Sequence, residues 1–401
     1  MMERKAIAAL AASLWFAAAP VSAQISDNVV KIGLLDDFSG IYADDAGVGK
    51  AEAVKLAIQE FGGSVNGKKI EFIQADHQNK PDVAIQIAKK WFDTEQVDMI
   101  VGLTNSTVAL AAQEVAREAK RLLFVTGAGA AALTEKSCSP YGIQWTYSTY
   151  AYTKGTSQLL PQLGKSYYFI TADYAFGHAL ENEMSALIKQ SGGRVLGAAR
   201  HPMRATDFSS FILQARSSGA DVVVLASAGN DLNNVLKQLK EFGVTGSKTK
   251  ILPLIMDLRV IDAVGKDVAG GAIYIAPWYT DLNPATLKLS QELGQRMKRT
   301  PGPLQAGAYS ATLNYLKAVQ KAGTDDAVEV AKTLRASGPI NDGFASNGTL
   351  RPDGSFVHDM YLLQVKTAAE SKSPTDRVKL VSVVKGVDAF RPAGEGGCPL
   401  R

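Results

Sequence analysis

The sequence is poor in cysteine: 401 residues carry two, Cys138 and Cys398. That density excludes a small disulfide scaffold. Histidine is scarce too. His77, His178, His201 and His358 lie far apart without metal-ligand spacing, so no metal is expected. Charge of one sign is not in excess: 43 Lys and Arg face 39 Asp and Glu, a net +4. No basic stripe stands out, so nucleic acid is not an expected partner. Beyond the N-terminal segment there is no apolar run long enough to cross a bilayer. A Gly-x-Ser-x-Gly elbow is also missing. Gly47-Val48-Gly49-Lys50 lacks the spacing and the following Ser or Thr of a phosphate loop. Gly127-x-Gly129-x-x-Ala132 fits a dinucleotide fingerprint loosely, but after a fourth strand rather than a first, with no acidic strand end downstream. No cofactor is expected, and the chain reads as a non-enzyme.

What is present points to a folded chain. Hydrophobic residues make up 46% and charged residues 20%, which excludes intrinsic disorder. The length exceeds what one core usually spans, so two domains are expected. Residues 1–23 read as a secretory signal: Arg4 and Lys5, the apolar run Ala6 to Ala19, then Val21-Ser22-Ala23 before a cleavage site. Without Glu3, Arg4 and Lys5 the net charge falls from +4 to +3. The mature protein is expected to be soluble and exported. In an oxidising compartment Cys138 and Cys398 form one pair, tying the tail at 392–401 to a loop; the alternative is two free thiols.

Strands and helices alternate. Val29–Leu35, Lys69–Ile73, Met99–Gly102 and Leu122–Val125 read as strands, with helices between them that include 105–119. The same grammar restarts at Tyr167–Ile170, with helix 177–190, strand Arg194–Leu196, helix 207–217, strand Val222–Leu225, helix 229–241 and strand Ile251–Leu254. Such alternation implies parallel sheets covered on both faces. Residues 285–336 read as helical, and 357–366 and 378–384 as strands. The economical solution has the chain returning to finish both lobes, with crossings near 143–150, 274–280 and 345–358. The expected class is therefore α/β, a two-lobed fold in which each lobe is a mainly parallel sheet flanked by helices, with three hinge crossings. The lobes take 28–144 with 277–350 and 146–275 with 355–391.

In open parallel sheets, ligands bind outside the carboxyl ends of the strands. Thr104-Asn105-Ser106-Thr107 follows the third strand, and Thr126-Gly127-Ala128-Gly129 follows the fourth. Both suit a small anionic or hydrogen-bonding group, although ordinary helix capping explains such residues as well. Aromatics gather at the crossings and rims: Trp145 to Tyr152 with Tyr150 among them, Tyr174, Phe176, Trp278, Tyr279 and Tyr42. A ring-walled cleft suits a flat or apolar ligand body. His77 follows a strand end and reads as a solvated loop residue; Asp76 and Asp173 read as loop or capping acids.

Several runs taken in order resemble the periplasmic leucine/isoleucine/valine-binding protein family. They are Lys31-Ile32-Gly33-Leu34-Leu35 with Phe38-Ser39-Gly40, Ala75-Asp76 before Lys80-Pro81, and Val97 to Gly102. Ala132-Leu133-Thr134, Asp173 to Gly177 and Ala308-Tyr309-Ser310-Ala311 continue the match. The resemblance implies a type I binding-protein fold that closes on a ligand by hinge motion and delivers it to an ABC-transporter permease from the periplasm, as a monomer. It puts the carboxylate-binding loop on Asn105-Ser106 and the second loop on Thr126 to Ala130, with Gly127, Ala128 and Gly129 inside it. A first-loop aromatic falls near Tyr42 or Asp45, the second-lobe aromatic on Tyr174 or Phe176, and an ammonium-holding carboxylate near Asp257; Tyr150 and Tyr309 complete the expected site. The chain departs from amino-acid binders in having Ala130 where a Thr is usual, the shorter Asp257, and Ala228-Gly229 where an aromatic is frequent. An ammonium left without acceptors in a dry cleft costs several kcal/mol, so the expected ligand is a small carboxylate with a flat, aromatic other end. Cys138-Ser139-Pro140, the Trp145-Thr146-Tyr147 crossing and Cys398-Pro399 resemble branches carrying aromatic acids. A branched-chain amino acid, an amide, or a sensory module of the same fold are the alternatives.

Overall fold

The computed structural model describes residues 24–245 and 248–400. The expected signal at 1–23 lies outside the described residues.

The first sheet grows from the apolar run that opens the described chain. Strand Val29–Asp36 (β1) is buried almost throughout, as a strand covered on both faces must be. Helix Gly47–Phe61 (α1) returns over it and stops at Gly62, whose φ of 101° only glycine adopts without strain. Strands Ser64–Val65 (β2) and Lys68–Asp76 (β3) follow, then helix Pro81–Asp93 (α2), with Pro81 in its first turn. Strand Met99–Gly102 (β4), helix Ser106–Ala119 (α3), strand Leu122–Val125 (β5) and strand Gly142–Gln144 (β6) complete the six-stranded order β2-β3-β1-β4-β5-β6. All its pairings are parallel except that of β2.

Helices Thr149–Thr156 (α4) and Leu160–Leu163 (α5) lead to the second sheet. It comprises strands Ser166–Ala172 (β7), Arg194–His201 (β8), Val222–Ala226 (β9) and Lys250–Pro253 (β10), parallel in the order β10-β9-β7-β8. Helices Ala175–Gln190 (α6), Ser209–Ser217 (α7) and Gly229–Glu241 (α8) connect them. Leu258–Val264 (α9) and Lys266–Ala269 (α10) precede strand Ile273–Ala276 (β11). Pro284–Met297 (α11), Pro303–Ala322 (α12) and Ala327–Arg335 (α13) then pack back on the first sheet, where α12 lies along α1. Thr349–Leu350 (β12) and Phe356–Val357 (β13) form a hairpin. Met360–Val365 (β14) and Val378–Val384 (β15) join β11 in an antiparallel sheet, before the short Gly386–Ala389 (α14).

The cores show where the chain changes lobe. Trp145, Trp278 and Phe356 pack in the first core, with Ile32, Phe124 and Tyr315. Tyr147, Ile275 and Val357 pack in the second, with Phe169 and Val224. The chain thus passes between cores at 145–147, 275–278 and 356–357. The expected single strand 357–366 is two strands. His358 interrupts it: its buried imidazole turns back between the Thr146 and Asp359 carbonyls, 2.9 Å from each, and donates to one of them. Cys138 and Cys398 are bonded, with Cα atoms 5.8 Å apart. The loop bearing Cys138 is held on the first lobe by Gln113 of α3, which donates to the Leu133 and Ser137 carbonyls.

Candidate functional site

The strand ends of both sheets converge on a partly open cavity between the lobes. It offers about 40 Å³ to the centre of a water-sized sphere, where a single water needs roughly 10–15 Å³. It therefore takes one compact small molecule. Tyr42 and Asp45 come from the loop after β1, Thr104 from the loop after β4, and Gly127 from the loop after β5. Tyr147 and Tyr152 come from the first crossing. The second lobe adds Tyr174 and Phe176 after β7, Gly229 after β9, and Met256, Asp257 and Arg259 after β10.

The rings are held by their hydroxyls. Tyr42 and Tyr174 bond to each other across the lobes, and Tyr147 donates to the Gly127 carbonyl at 2.6 Å. Burial pushes all three phenols above their ordinary range, so they stay neutral. Gly127 has no room for a side chain: a Cβ there would lie 2.5 Å from Thr104 Oγ1 and 2.7 Å from Lys50 Nζ. Gly129 is pressed between Tyr147 and Phe176 in the same way.

Two ion pairs flank the cavity. Lys50 donates to Asp36 Oδ2 at 2.8 Å and to Thr104 Oγ1 at 3.0 Å, with both charged side chains fully buried. Burial would raise the Asp36 carboxyl, but Lys50 and His77 outweigh it and hold it below its ordinary value. On the other side Arg259 lies 2.6 Å from Asp45 and 2.6 Å from Asp257. Burial dominates at Asp45 despite Arg259, and its carboxyl is pushed up to about 6.

Of the expected site residues, Tyr42, Asp45, Gly127, Tyr174, Phe176 and Asp257 line this cavity; the others do not. Asn105 caps α3, accepting from the Thr107 and Val108 amides, and its amide group faces Met203. Ser106 accepts from the Ala130 amide. Thr126 is fully buried and Ala128 nearly so, each fixed by its backbone to β4 or the residue after it. Tyr150 points to the tail, under the Arg391 guanidinium at 4.1 Å. Tyr309 lies in the first core and donates to Glu60. Asp257 caps α9 and pairs with Arg259, so both its oxygens are already engaged. His77, expected in solvent, is fully buried, 3.8 Å from Asp36. Asp76 is the last residue of β3, and its side chain accepts from the Phe38 and Gln78 amides of the adjoining loops.

Sequence reasoning missed Arg259 as a cavity group and Lys50 behind the cavity, and it did not single out Tyr147 and Tyr152 within their aromatic cluster. A signal existed for Lys50. It falls in helical register with Ala46, Ala53, Val54 and Ala57, all fully buried, and a lysine on an apolar face asks for a partner. Arg259 carried none, because its partner Asp45 lies far away in the chain.

The fold and this inter-lobe cavity define a two-lobed solute receptor of type I architecture. The periplasmic binding protein family model matches residues 29–372, and the chain belongs to that family. A crystal structure of a periplasmic binding protein from Burkholderia mallei is 45% identical, covering 93% of this chain and 99% of its own, with a TM-score of 0.90. The Leu/Ile/Val-binding protein homolog 7 of Brucella abortus is 28% identical over 84% of this chain and 86% of its own length. A solute-binding protein of an ABC transporter from Rhodopseudomonas palustris, in complex with 3,4-dihydroxybenzoic acid, has the same fold. Its TM-score is 0.82 at 22% identity, over 90% of this chain and 98% of its own. The protein is thus a periplasmic solute-binding protein of the ABC type.

Proposed function

We propose that this protein captures a small aromatic carboxylate in the inter-lobe cavity and delivers it to an ABC-transporter permease. The observation that carries the reading is the cavity wall: Tyr42, Tyr147, Tyr152, Tyr174 and Phe176 line a small space that Thr104 and Gly127 also border. At least three of the phenol groups are engaged with protein partners, so the rings offer apolar faces and edges. Asp257, the expected ammonium acceptor, is taken up by Arg259 and its helix cap.

The Rhodopseudomonas palustris relative holds a dihydroxybenzoate in the same fold, which agrees with this ligand class. In this reading residues 28–144 with 277–350 close on 146–275 with 355–391, the tail is tied at Cys138, and residues 1–23 direct export. A second reading, an α-amino acid, has one observation in its favour. Asp45 and Asp257 share a single guanidinium, leaving one carboxylate in excess that an ammonium could neutralise. The Brucella abortus relative is described as a Leu/Ile/Val-binding protein homologue.

Thermal-shift and calorimetric titrations with benzoate, 4-hydroxybenzoate and leucine separate the two. Stabilisation by the aromatic acids with leucine silent is the expected result. Stabilisation by leucine alone refutes the aromatic reading.

A further inference from the structure

The C-terminal segment builds no core. Val384, Ala389 and Phe390 pack in the second core, and α14 lies along α4, whose Ala151 and Tyr152 belong there too. None of residues 391–400 enters a core, and most are exposed. A surface tail beyond the last packed residue is ordinarily loose. This one is held at Arg391, Gly396 and Cys398, and nearly all the groups that hold it belong to the first lobe. The Arg391 carbonyl accepts from Arg351 Nη1 at 2.6 Å, and Arg351 follows Leu350 of the first core. The Arg391 guanidinium pairs with Glu135, on the loop that Gln113 ties to the first lobe. A Cβ at Gly396 would strike the Glu135 side chain. Cys398 is bonded to Cys138 of the same loop.

The chain therefore changes lobe a fourth time, between Phe390 and Arg391, and here the far end is closed by a covalent bond. Arg391 also keeps a hold on the second lobe, since its guanidinium lies 4.1 Å over the ring of Tyr150 on α4. Tyr150 and Glu135 sit on different lobes, so a relative movement of the lobes must break the stack or the pair. The disulfide does not let the broken partners drift apart. From Phe390 to Cys398 the chain reaches at most about 26–29 Å when extended, and a turn closed by the Glu395 amide on the Pro392 carbonyl takes up part of that length. Re-forming the contacts is then an intramolecular step at high effective concentration.

We propose that residues 391–398, closed by the Cys138–Cys398 bond, form a strap across the hinge that biases the two lobes toward the arrangement in which they meet, and so raises the affinity for the ligand. In that arrangement Tyr42 meets Tyr174 and Arg259 meets Asp45 across the lobes, while Arg391 is engaged with both. The proposal rests on the hinge closure of the reading above and not on the ligand named there. A protein whose binding-competent arrangement is only partly populated binds more weakly by that fraction, and the strap acts on the fraction without touching the cavity.

The test compares the wild type with two variants. Cys138→Ser/Cys398→Ser cuts the strap. An insertion of about eight Gly and Ser residues after Gly394, in an exposed turn that tolerates added chain, keeps the disulfide but adds roughly 15 Å of slack. Calorimetry reads the affinity for benzoate, or for leucine where benzoate does not bind, and small-angle X-ray scattering reads the ligand-free proteins. Both variants are expected to bind about three- to tenfold more weakly and to show a larger radius of gyration without ligand. A disulfide that only staples the fold would lower the melting temperature of the Ser variant and leave the affinity of the insertion variant at the wild-type value. The insertion variant therefore decides the matter, also where the Ser variant does not fold. An insertion variant that binds as the wild type does, or more tightly, overturns the proposal. If neither benzoate nor leucine binds the wild type, the ligand reading fails by itself, and ligand-free scattering unchanged by the insertion overturns the strap.

Discussion

The two ion pairs beside the cavity look alike in distance and differ in everything else. Lys50 and Asp36 both belong to the first lobe, on α1 and the end of β1, and are fully buried. Arg259 is on the second lobe, and reaches across to Asp45 on the first, with side chains 13% and 22% exposed. The first pair survives any rigid movement of the lobes. The second exists only while they are together. Charge fixed within a lobe is indifferent to closing, whereas a pair shared between lobes is made or lost with it. The same division applies to two glycines. Gly127 meets Thr104 and Lys50 of its own lobe; Gly229 of the second lobe meets Ile41 and Tyr42 of the first.

The largest expected effect breaks the first pair. Lys50→Met leaves Asp36 buried without its cation and should cost about 3–5 kcal/mol in a urea titration. Arg259→Met leaves Asp45 and Asp257 without their cation, but opening of the lobes can return Asp45 to water, so the loss should be smaller, about 1–2 kcal/mol. Equal losses would erase the distinction between the pairs. Next come the glycines. Gly127→Ala forces a Cβ against Thr104 and Lys50 and should cost about 1–3 kcal/mol of stability. Gly229→Ala meets Ile41 O and Tyr42 at 3.0 Å, at a φ of 61°. Those contacts arise on closing, so beyond roughly 1 kcal/mol of backbone strain it should lower ligand affinity about tenfold. Calorimetry with urea titration reads both; a Gly229→Ala protein that binds like the wild type would show that these contacts do not report closure.

The sequence made the framework legible for local reasons. The run Val29–Leu35 could only be a buried strand, Pro81 and Gly62 marked helix ends, and the helix 229–241 was read to the residue. The crossings were legible because aromatic residues flank them: Trp145 and Tyr147 sit two apart in the chain and belong to different cores. The cavity was legible only in part. The Trp145–Tyr152 cluster announced rings, but helix phase decides that Tyr152 faces inward while Tyr150 meets Arg391. Asn105 and Ser106 carry the right groups, yet local capping and the Ala130 amide claim them first. Arg259 became a cavity residue through Asp45, more than two hundred positions earlier, and no local pattern records such a pairing.

The finest test of the comparison is titration of the inter-lobe pair. Burial holds the Asp45 carboxyl at about 6, against an ordinary value of 3.8. Opening the lobes returns it to solvent and toward that ordinary value. The closed form therefore retains a proton that the open form releases between about pH 4 and 6, and closing is favoured as pH falls through 6. A carboxylate ligand of ordinary acidity stays ionised down to pH 5, so its affinity should rise about three- to tenfold between pH 7 and pH 5. Asp45→Asn should flatten much of this slope, whereas the Lys50–Asp36 pair, with Asp36 held below its ordinary value, should contribute nothing in that window. Calorimetric affinities at pH 5, 6 and 7 on the wild type and Asp45→Asn suffice. A slope that Asp45→Asn leaves intact would move the proton uptake away from the inter-lobe pair, and with it the claim that this pair reports closing.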